Sequence, residues 1–486
     1  MNGEKLSRSL RAVTSGLMLL LVGCTVGPNY NRPDLSVPST WKEAQGGGVA
    51  AQPAELTRWW AAFNDPLLDS LVARAVRSNL DLRIAEGRIR EARASRGVIA
   101  ADAWPTLDVS GSYSRSRNSK NALAFPSQGG GGSPSSLGGD IVEHDLFKTG
   151  FDASWEVDLF GGVRRKVEAA EASIEASVEN RRDVLVTLLG DVAKNYIDLR
   201  GFQRRLVVAR ANLEAQRETL DLTRVRFRAG LASDLDVAQA EAQVNTTTAQ
   251  IPALESSLKQ AAYRLDALLG LHPGALWDEL SKEAQIPSLP PEVLVGLPSE
   301  LLRRRPDIRR AERQLAAATA QIGAAVADLF PKFSLTGAVG LQSFSAGDWF
   351  TRGSRFWSIG PTISWPIFDA GKIRANIEVR NAQQEQALNQ YEKTVLTALG
   401  DVETSLVNYS HEQARHRSLQ EAAAASRRAV EMANELYLRG LNDFLNVLDA
   451  QRSLLAAENE LAQSEATVAS NLVSLYKALG GGWETE

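Results

Sequence analysis

Hydrolytic and metal chemistry need histidine, cysteine or carboxylate groups within reach of one another, and this chain of 486 residues has one cysteine and four histidines. His411, Glu412 and His416 come nearest to a zinc-binding helix. Chelation from one helix wants histidines at i and i+4, and a spacing of five turns the second imidazole about 140° away from the first. No metal site is expected there. A phosphate-binding loop, a dinucleotide fingerprint and a nucleophile elbow are all missing, so nucleotide hydrolysis is not encoded and any energy must come from a partner. A single cysteine also excludes an internal disulfide framework. A formal charge of −4 and an isoelectric point near 5.8 argue against nucleic acid as a partner. The chain reads as a non-enzyme that needs no cofactor.

Carboxylates do occur in a pattern. Phe151, Ala153, Trp155, Val157 and Leu159 alternate with Asp152, Ser154, Glu156 and Asp158, a period of two that puts apolar side chains on one face of a strand and acids on the other. Trp357, Ile359, Ile363, Trp365 and Ile367 alternate in the same way with Ser358, Thr362 and Ser364. Leu107, Val109 and Tyr113, then Phe333, Leu335, Val339 and Leu341, supply two more strands. A soluble sandwich with one wet face would show this pattern too. If instead Trp155 faces lipid, Asp152, Glu156 and Asp158 line a lumen, where they either favour cations or merely wet it. Trp349, Phe350, Phe356 and Trp357 near the strand ends resemble an interfacial aromatic girdle. Four strands cannot close a barrel, since about eight are needed to fill its interior. Sharing a barrel between two, three or four chains would remove the free edges that a bilayer forbids.

The elements that position these strands are duplicated. At an offset of 210, Trp155 matches Trp365, Gly161 matches Gly371, Arg164 matches Arg374, and Leu189-Gly190-Asp191-Val192 matches Leu399-Gly400-Asp401-Val402. At an offset of 226, Asp81 matches Asp307, Ala85-Glu86 matches Ala311-Glu312 and Pro105 matches Pro331. The 16-residue difference falls in a Gly/Ser/Pro-rich insertion around 128–139. Each half predicts helix, strand, strand, very long helix, tight turn and helix. The first spans 65–270 (β-hairpin 106–160, tip 228–234) and the second 299–480 (β-hairpin 332–368, tip 439–443), with a linker at 271–298 and a tail at 481–486.

No strong breaker separates Gly162 from Gly230, so that helix should run for about 67 residues, or about 100 Å. Shorter helices are expected near 66–103 and 234–269. Val237, Val244, Ile251, Leu258 and Leu265 with Ala240, Thr247, Leu254, Ala261 and Leu268 form heptad positions facing Leu206, Leu213, Leu220 and Phe227, and Val447, Leu454, Leu461, Val468 and Leu475 repeat them. Pro252 predicts a kink. At the tips, Gly230 suits a left-handed helix end and Ser233 with Asp236 a capping box, a device that Gly440, Asn442 and Asp443 should repeat.

The amino terminus reads as an address. Lys5, Arg8 and Arg11 precede the apolar run Leu17 to Val22, too short to span a bilayer, so residues 1–23 are expected to be a secretory signal. Leu21-Val22-Gly23-Cys24 resembles a bacterial lipobox, which implies S-diacylglycerol and N-palmitoyl groups on Cys24 and an extended, lipid-anchored segment over 24–64. Thr25 after the cysteine favours outer-membrane sorting by the same resemblance.

Trp59-Trp60, Phe63, Asp65-Pro66, RPDIRRAE from Arg305, FPKFSLTG from Phe330, LDAQRSLLAAENEL from Leu448 and YKALGGGW from Tyr476 together resemble the TolC-like outer-membrane efflux factors, nearest the OprM-type lipoproteins. The resemblance implies a mainly α chain with a membrane β-barrel: a homotrimer whose three sets of four strands make one barrel in outer-membrane lipid, above a periplasmic helical tunnel and an equatorial domain. It implies an exit duct served by a periplasmic membrane-fusion adaptor and an inner-membrane pump of the RND type. It places a gate at Asp449 and Leu445 with Tyr437 nearby, opened by iris-like helix movement, although Asp449 alone would read as a solvated helix face. It assigns adaptor docking to Arg228, Gly230, Ser233, Asp234, Arg439, Gly440, Asn442 and Asp443. Exit ducts for secreted proteins or heavy-metal cations, and a non-transport coiled-coil scaffold, are the alternatives. Nothing Met-rich or His-rich argues for copper or silver, so drugs and other organic solutes are the default.

Overall fold

The computed structural model of the protein describes residues 25–43, 49–50, 56–117, 143–290 and 293–483. Cys24, the signal segment and the stretch 128–139 lie outside the described residues. The first half holds α1 (Pro66–Ser78), α2 (Leu80–Ala101), β1 (Thr106–Arg117), β2 (Glu143–Val157), α3 (Gly162–Arg228) and α4 (Asp234–Leu268). The second holds α5 (Pro298–Arg304), α6 (Pro306–Ala327), β3 (Lys332–Ser343), β4 (Arg355–Ser364), α7 (Lys372–Leu438) and α8 (Phe444–Ala478). By contacts the chain forms two compact units. One gathers residues up to 31, 92–173 and 315–386, and holds the sheet; the other gathers 32–91, 174–314 and 387–486, and holds the helical hairpins.

The long helices, α3 and α7, are 67 residues each. Both end where a glycine turns left-handed, Gly230 at φ 75° and Gly440 at φ 74°, with the amides of Leu231 and Leu441 returning to the carbonyls of Arg226 and Leu436, the arrangement that satisfies orphan carbonyls of a last turn. α4 buries Ala240, Thr247, Leu254, Leu258, Ala261 and Leu265 along its stripe, and Leu206, Leu213 and Leu220 are buried on α3. Phe227, expected in that seam, is instead exposed, because it lies in the last turn before the tip. In α8 the buried stripe is wider than the expected row: Val447, Val468 and Leu475 are buried, Leu454 and Leu461 only half-buried, and the adjacent row Leu448, Leu455, Ala462, Ala469 and Tyr476 is buried throughout. α4 continues through Pro252 without interruption.

The helix expected over 66–103 is broken at Asn79. There the Asn79 side chain accepts from the Leu82 amide at 3.0 Å, capping α2, and donates to the Leu268 carbonyl at 2.9 Å. Ser78 adds a bond of 2.6 Å to the Leu269 carbonyl, so the junction of α1 and α2 seats the end of α4. Its duplicate is Arg305, between α5 and α6, which donates to the Ala478 carbonyl at 3.1 Å and pairs with Asp307 at 2.7 Å and Asp401 at 3.1 Å. One copy of the joint is neutral and the other ionic. Arg305→Ala is expected to lower the melting temperature of the purified protein more than Asn79→Ala does, since it removes two charge-assisted, half-buried pairs together with the bond to the Ala478 carbonyl, against about 1 kcal/mol for a lost cap. Equal shifts in thermal melts would mean that Arg305 does not hold the joint.

Beside this joint the carboxy-terminal glycines bring Trp483 between two guanidinium groups, Arg182 at 4.5 Å and Arg309 at 5.2 Å from its ring, with its indole N–H on the Arg304 carbonyl. Both arginines also pair with Glu179, at 2.7 Å each. Burial pushes the carboxyls of Glu179 and Asp183 up from the ordinary range, against the pull of Arg309 and Arg310 respectively.

The sheet is antiparallel throughout, in the order β1-β2-β3-β4, so that β1 and β4 are edges. Its register aligns Val109, Phe151, Val339 and Trp357 in one row, and Trp155, Leu335 and Pro361 in another. The alternate rows are polar, for example Asp108, Asp152, Ala338 and Ser358. Strand pleating therefore separates an apolar face from a polar one.

Candidate functional site

On the sheet, Val109, Trp357, Ile359 and Ile363 are about two-thirds exposed or more, a contiguous apolar face of the kind that lies against lipid or another protein. Along β2 this face runs from Phe147 to Val157, about 30 Å of strand at roughly 3.3 Å per residue, which a barrel tilt of about 45° reduces to the height of an outer-membrane apolar band. Phe147, Trp349 and Phe350 pack at one end as tilted ring pairs, with ring centres 5.4 and 4.9 Å apart. At the other, the indoles of Trp155 and Trp365 each donate to a carbonyl just past a helix, Ala103 and Leu329, both at 3.0 Å. The aromatic girdle is thus two-ended.

Phe356 does not belong to it. By register it faces the opposite way from Trp357 and lies over the row Gly150-Gly340, where a Cβ on Gly340 would meet its ring at 2.9 Å. Lys148 sits 5.2 Å above the same ring. Asp152 and Glu156 share this polar face, Asp152 accepting from the Ser110 hydroxyl at 2.7 Å. Asp158 does not: β2 ends at Val157, and the Asp158 carboxylate takes the Arg164 amide at 2.9 Å, closing the turn into α3. Trp365 and Ile367 likewise fall past the end of β4.

At the tips, Ser233 and Asp236 make the expected capping box, with bonds of 3.2 and 2.8 Å, so that Ser233 caps α4 and Asp234 is its first residue. The second tip does not repeat it. Asp443, where Ser233 stood, precedes α8 without a side-chain cap, and Asn446, where Asp236 stood, does not accept from the Asp443 amide; Asn442 accepts from that amide at 3.1 Å and from the Asn446 side chain. Arg439 pairs with Glu435. Arg228 ends α3 exposed. Polar and glycine positions lead one past the leucines: Leu231 is 67% exposed and Leu441 70%. They follow the two left-handed glycines at matching positions, so the duplication itself was the signal that could have found them.

The candidate gate residues separate into two kinds. Tyr437 is buried in a cluster with Leu220, Ala240, Ala433, Phe444, Val447 and Leu448, its ring 5.7 Å from Phe444 and 4.5 Å from the Arg226 guanidinium, which ties α3 to α7. Leu445 and Asp449 lie one turn apart on α8 and are exposed. Among the described residues Asp449 has no hydrogen-bond or ion-pair partner. A carboxylate held out on a packed hairpin is placed to meet a solute or another copy of the chain. Its duplicate on α4 is Gln239, so only the second hairpin carries this charge. Among the described residues no cluster of three histidine, cysteine or carboxylate groups could hold a metal, and no helix is long and apolar enough to cross a membrane.

These features meet in known proteins. The chain matches the outer membrane efflux protein family over residues 71–271 and 297–481. It is 34% identical over 98% of its length to nodulation protein T of Rhizobium leguminosarum bv. trifolii, 98% of which is covered, and 35% identical over 99% to the pyoverdine export outer membrane protein OpmQ of Pseudomonas aeruginosa, covering 98% of it. Among solved structures, the outer-membrane channel OprN superposes with a TM-score of 0.87 at 37% identity, over 95% of this chain and all of that one. CusC, a transmembrane channel, gives 0.81 at 30% identity, over 94% of this chain and all of that one. The apolar sheet face is the face that meets lipid in such a barrel, the long helices are its helical tunnel, and the chain belongs to the outer membrane efflux protein family, an efflux channel of the outer membrane and not an enzyme.

Proposed function

We propose that three copies pool their four-stranded sheets into one barrel and act as the exit duct of a tripartite pump, with an inner-membrane transporter of the RND type and a periplasmic adaptor beneath. The observation that carries this reading is the sheet: one face apolar with many of its large side chains exposed, the other polar, and edges β1 and β4 without a further strand among the described residues. In a bilayer an unpaired edge is not tolerated, so β1 of one copy has to meet β4 of the next. Asp449 and Leu445 then ring the axis three times at the periplasmic end, and the tips around Gly230 and Gly440 meet the adaptor. Cys24, acylated, anchors each copy. The polar face, with Asp152 and Glu156, lines the lumen. Relatives named for solvent, pyoverdine and cation export span chemically different cargo; the scarcity of methionine and histidine in this chain favours organic solutes over soft metal ions.

Deleting the gene and measuring growth across a toxicity panel, with intracellular dye accumulation, tests the reading. Raised dye levels and sensitivity to organic compounds are expected. Wild-type accumulation, or loss of a secreted protein instead, would overturn it.

A further inference from the structure

The segment that follows Cys24 does not lie loosely on the surface. Arg165, in the first turn of α3, is 3% exposed, and its guanidinium is spent on that segment. Nε donates to the Val26 carbonyl at 3.1 Å, and Nη2 to the Gly27 carbonyl at 3.3 Å and the Asn29 side-chain oxygen at 2.7 Å. Nη1 pairs with Glu168 at 2.7 Å. The Val26 amide donates to the Phe160 carbonyl at 3.2 Å. Close packing seals the fit. A Cβ on Gly27 would stand 2.4 Å from the Cα of Gly323, and one on Gly161 would meet Thr25 at 2.8 Å.

The duplication supplies the comparison that gives this contact meaning. The same scaffold recurs in the second half, where Ala375 holds the Gly371 carbonyl through its amide at 2.9 Å as Arg165 does that of Gly161 at 2.8 Å. There the guanidinium is missing, since Ala375 stands in the place of Arg165. Folding a strand into a long helix does not require the slot, because one of the two copies does without it.

We infer that Arg165, Gly161 and Gly323 form a docking site for the segment 25–29 that follows the acylated residue, which holds this segment against the turn from β2 into α3 so that lipid anchor and barrel enter the membrane in register. This rests on the acylation of Cys24 proposed above. A buried fork-shaped guanidinium reads a tight backbone turn through several carbonyls at once, and Gly27, at φ 86°, supplies the turn.

Hydrogen exchange followed by mass spectrometry on the purified full-length channel tests it, comparing wild type with Arg165→Met and with Gly27→Val, which blocks the site from the segment's side and leaves the body of the fold untouched. Both variants are expected to exchange the amides of 25–31 at least about tenfold faster, and to yield severalfold less trimer in outer-membrane fractions. Unchanged protection, or full trimer yield from variants whose segment is released, overturns the inference. The mass of the amino-terminal peptide is read in the same experiment: its lack of acyl chains would refute the lipid reading by itself, while the exchange rates still decide whether the slot binds the segment.

Discussion

Asp449→Ala is expected to raise the single-channel conductance of the assembled channel severalfold in planar bilayers. The substitution touches nothing that holds the fold. Asp449 is exposed and has no described partner, so stability should change by no more than about 0.5 kcal/mol, and a change in current then reports on the pore. Three carboxylates brought near one axis repel one another and hold counter-ions; removing them widens the aperture and frees the path together. Leu445→Ala, one turn away and 52% exposed, should add to the effect by trimming the apolar collar. Tyr437→Ala is a poor probe by comparison, because emptying a buried aromatic site costs about 3–5 kcal/mol and would loosen the hairpin whatever its role. The duplication provides the control: Gln239→Ala alters the matching position of the first hairpin and should leave the current as it was. Unchanged conductance of Asp449→Ala in intact trimers would sink the gate assignment, as would an equal rise with Gln239→Ala.

Much of the architecture was legible because it follows from few and strong signals. The absence of any proline or paired glycines between Gly162 and Gly230 leaves only one long helix to form, and alternation in β2 and β4 fixes which side chains share a face. The errors have physical reasons of the same kind. The break at Asn79 has no proline or glycine to mark it, but its duplicate, Arg305, stands before Pro306, where a helix cannot continue; carrying the offset of 226 back would have located it. Phe356 neighbours Trp357 in sequence, but pleating sends neighbours to opposite faces, and it covers two glycines there instead of sharing the apolar face. Asp158 continued the alternation on paper, while in the fold the chain has already turned and the carboxylate is needed by the Arg164 amide. The second capping box does not form because both of its members differ, Asp443 for Ser233 and Asn446 for Asp236, and Asn442 takes the Asp443 amide instead.

What could not be read at all is contact between distant segments. Nothing in the sequence links Arg165 to Val26, since each is unremarkable in its own neighbourhood and only the fold brings a guanidinium to that turn. The same holds for Arg226 over Tyr437. Local periodicity predicts elements, whereas contacts such as Arg165 with Val26 and Arg226 with Tyr437 act across them, and the duplication marks both: Ala375 stands in the place of Arg165, and exposed Phe227 in that of buried Tyr437.

At the hairpin tips the halves are instead alike, and the expected result follows from that likeness. Replacing Gly230 and Gly440 together by valine should abolish crosslinking to the adaptor in cell envelopes while trimers persist. A residue with a Cβ in the left-handed region costs roughly 1–2 kcal/mol, and a Cβ at either glycine would meet nothing within 4 Å, so the penalty is confined to the turn and a trimer held by long helices and a barrel absorbs it. A turn that flips out of the left-handed region, however, moves the leucine behind it, and Leu231 and Leu441 are the most exposed apolar side chains of the two tips. Leu231→Ser with Leu441→Ser separates strain from surface: it leaves both turns relaxed and removes only the apolar contact, so it should reproduce the loss of crosslinking. As a control, Gly400→Ala, within α7 and with open space around it, should leave both trimer and adaptor contact intact. Adaptor still captured by the double valine and double serine variants would place docking elsewhere on the helices; capture lost only in the valine variant would mean that the turn geometry, not the leucines, is what the adaptor meets.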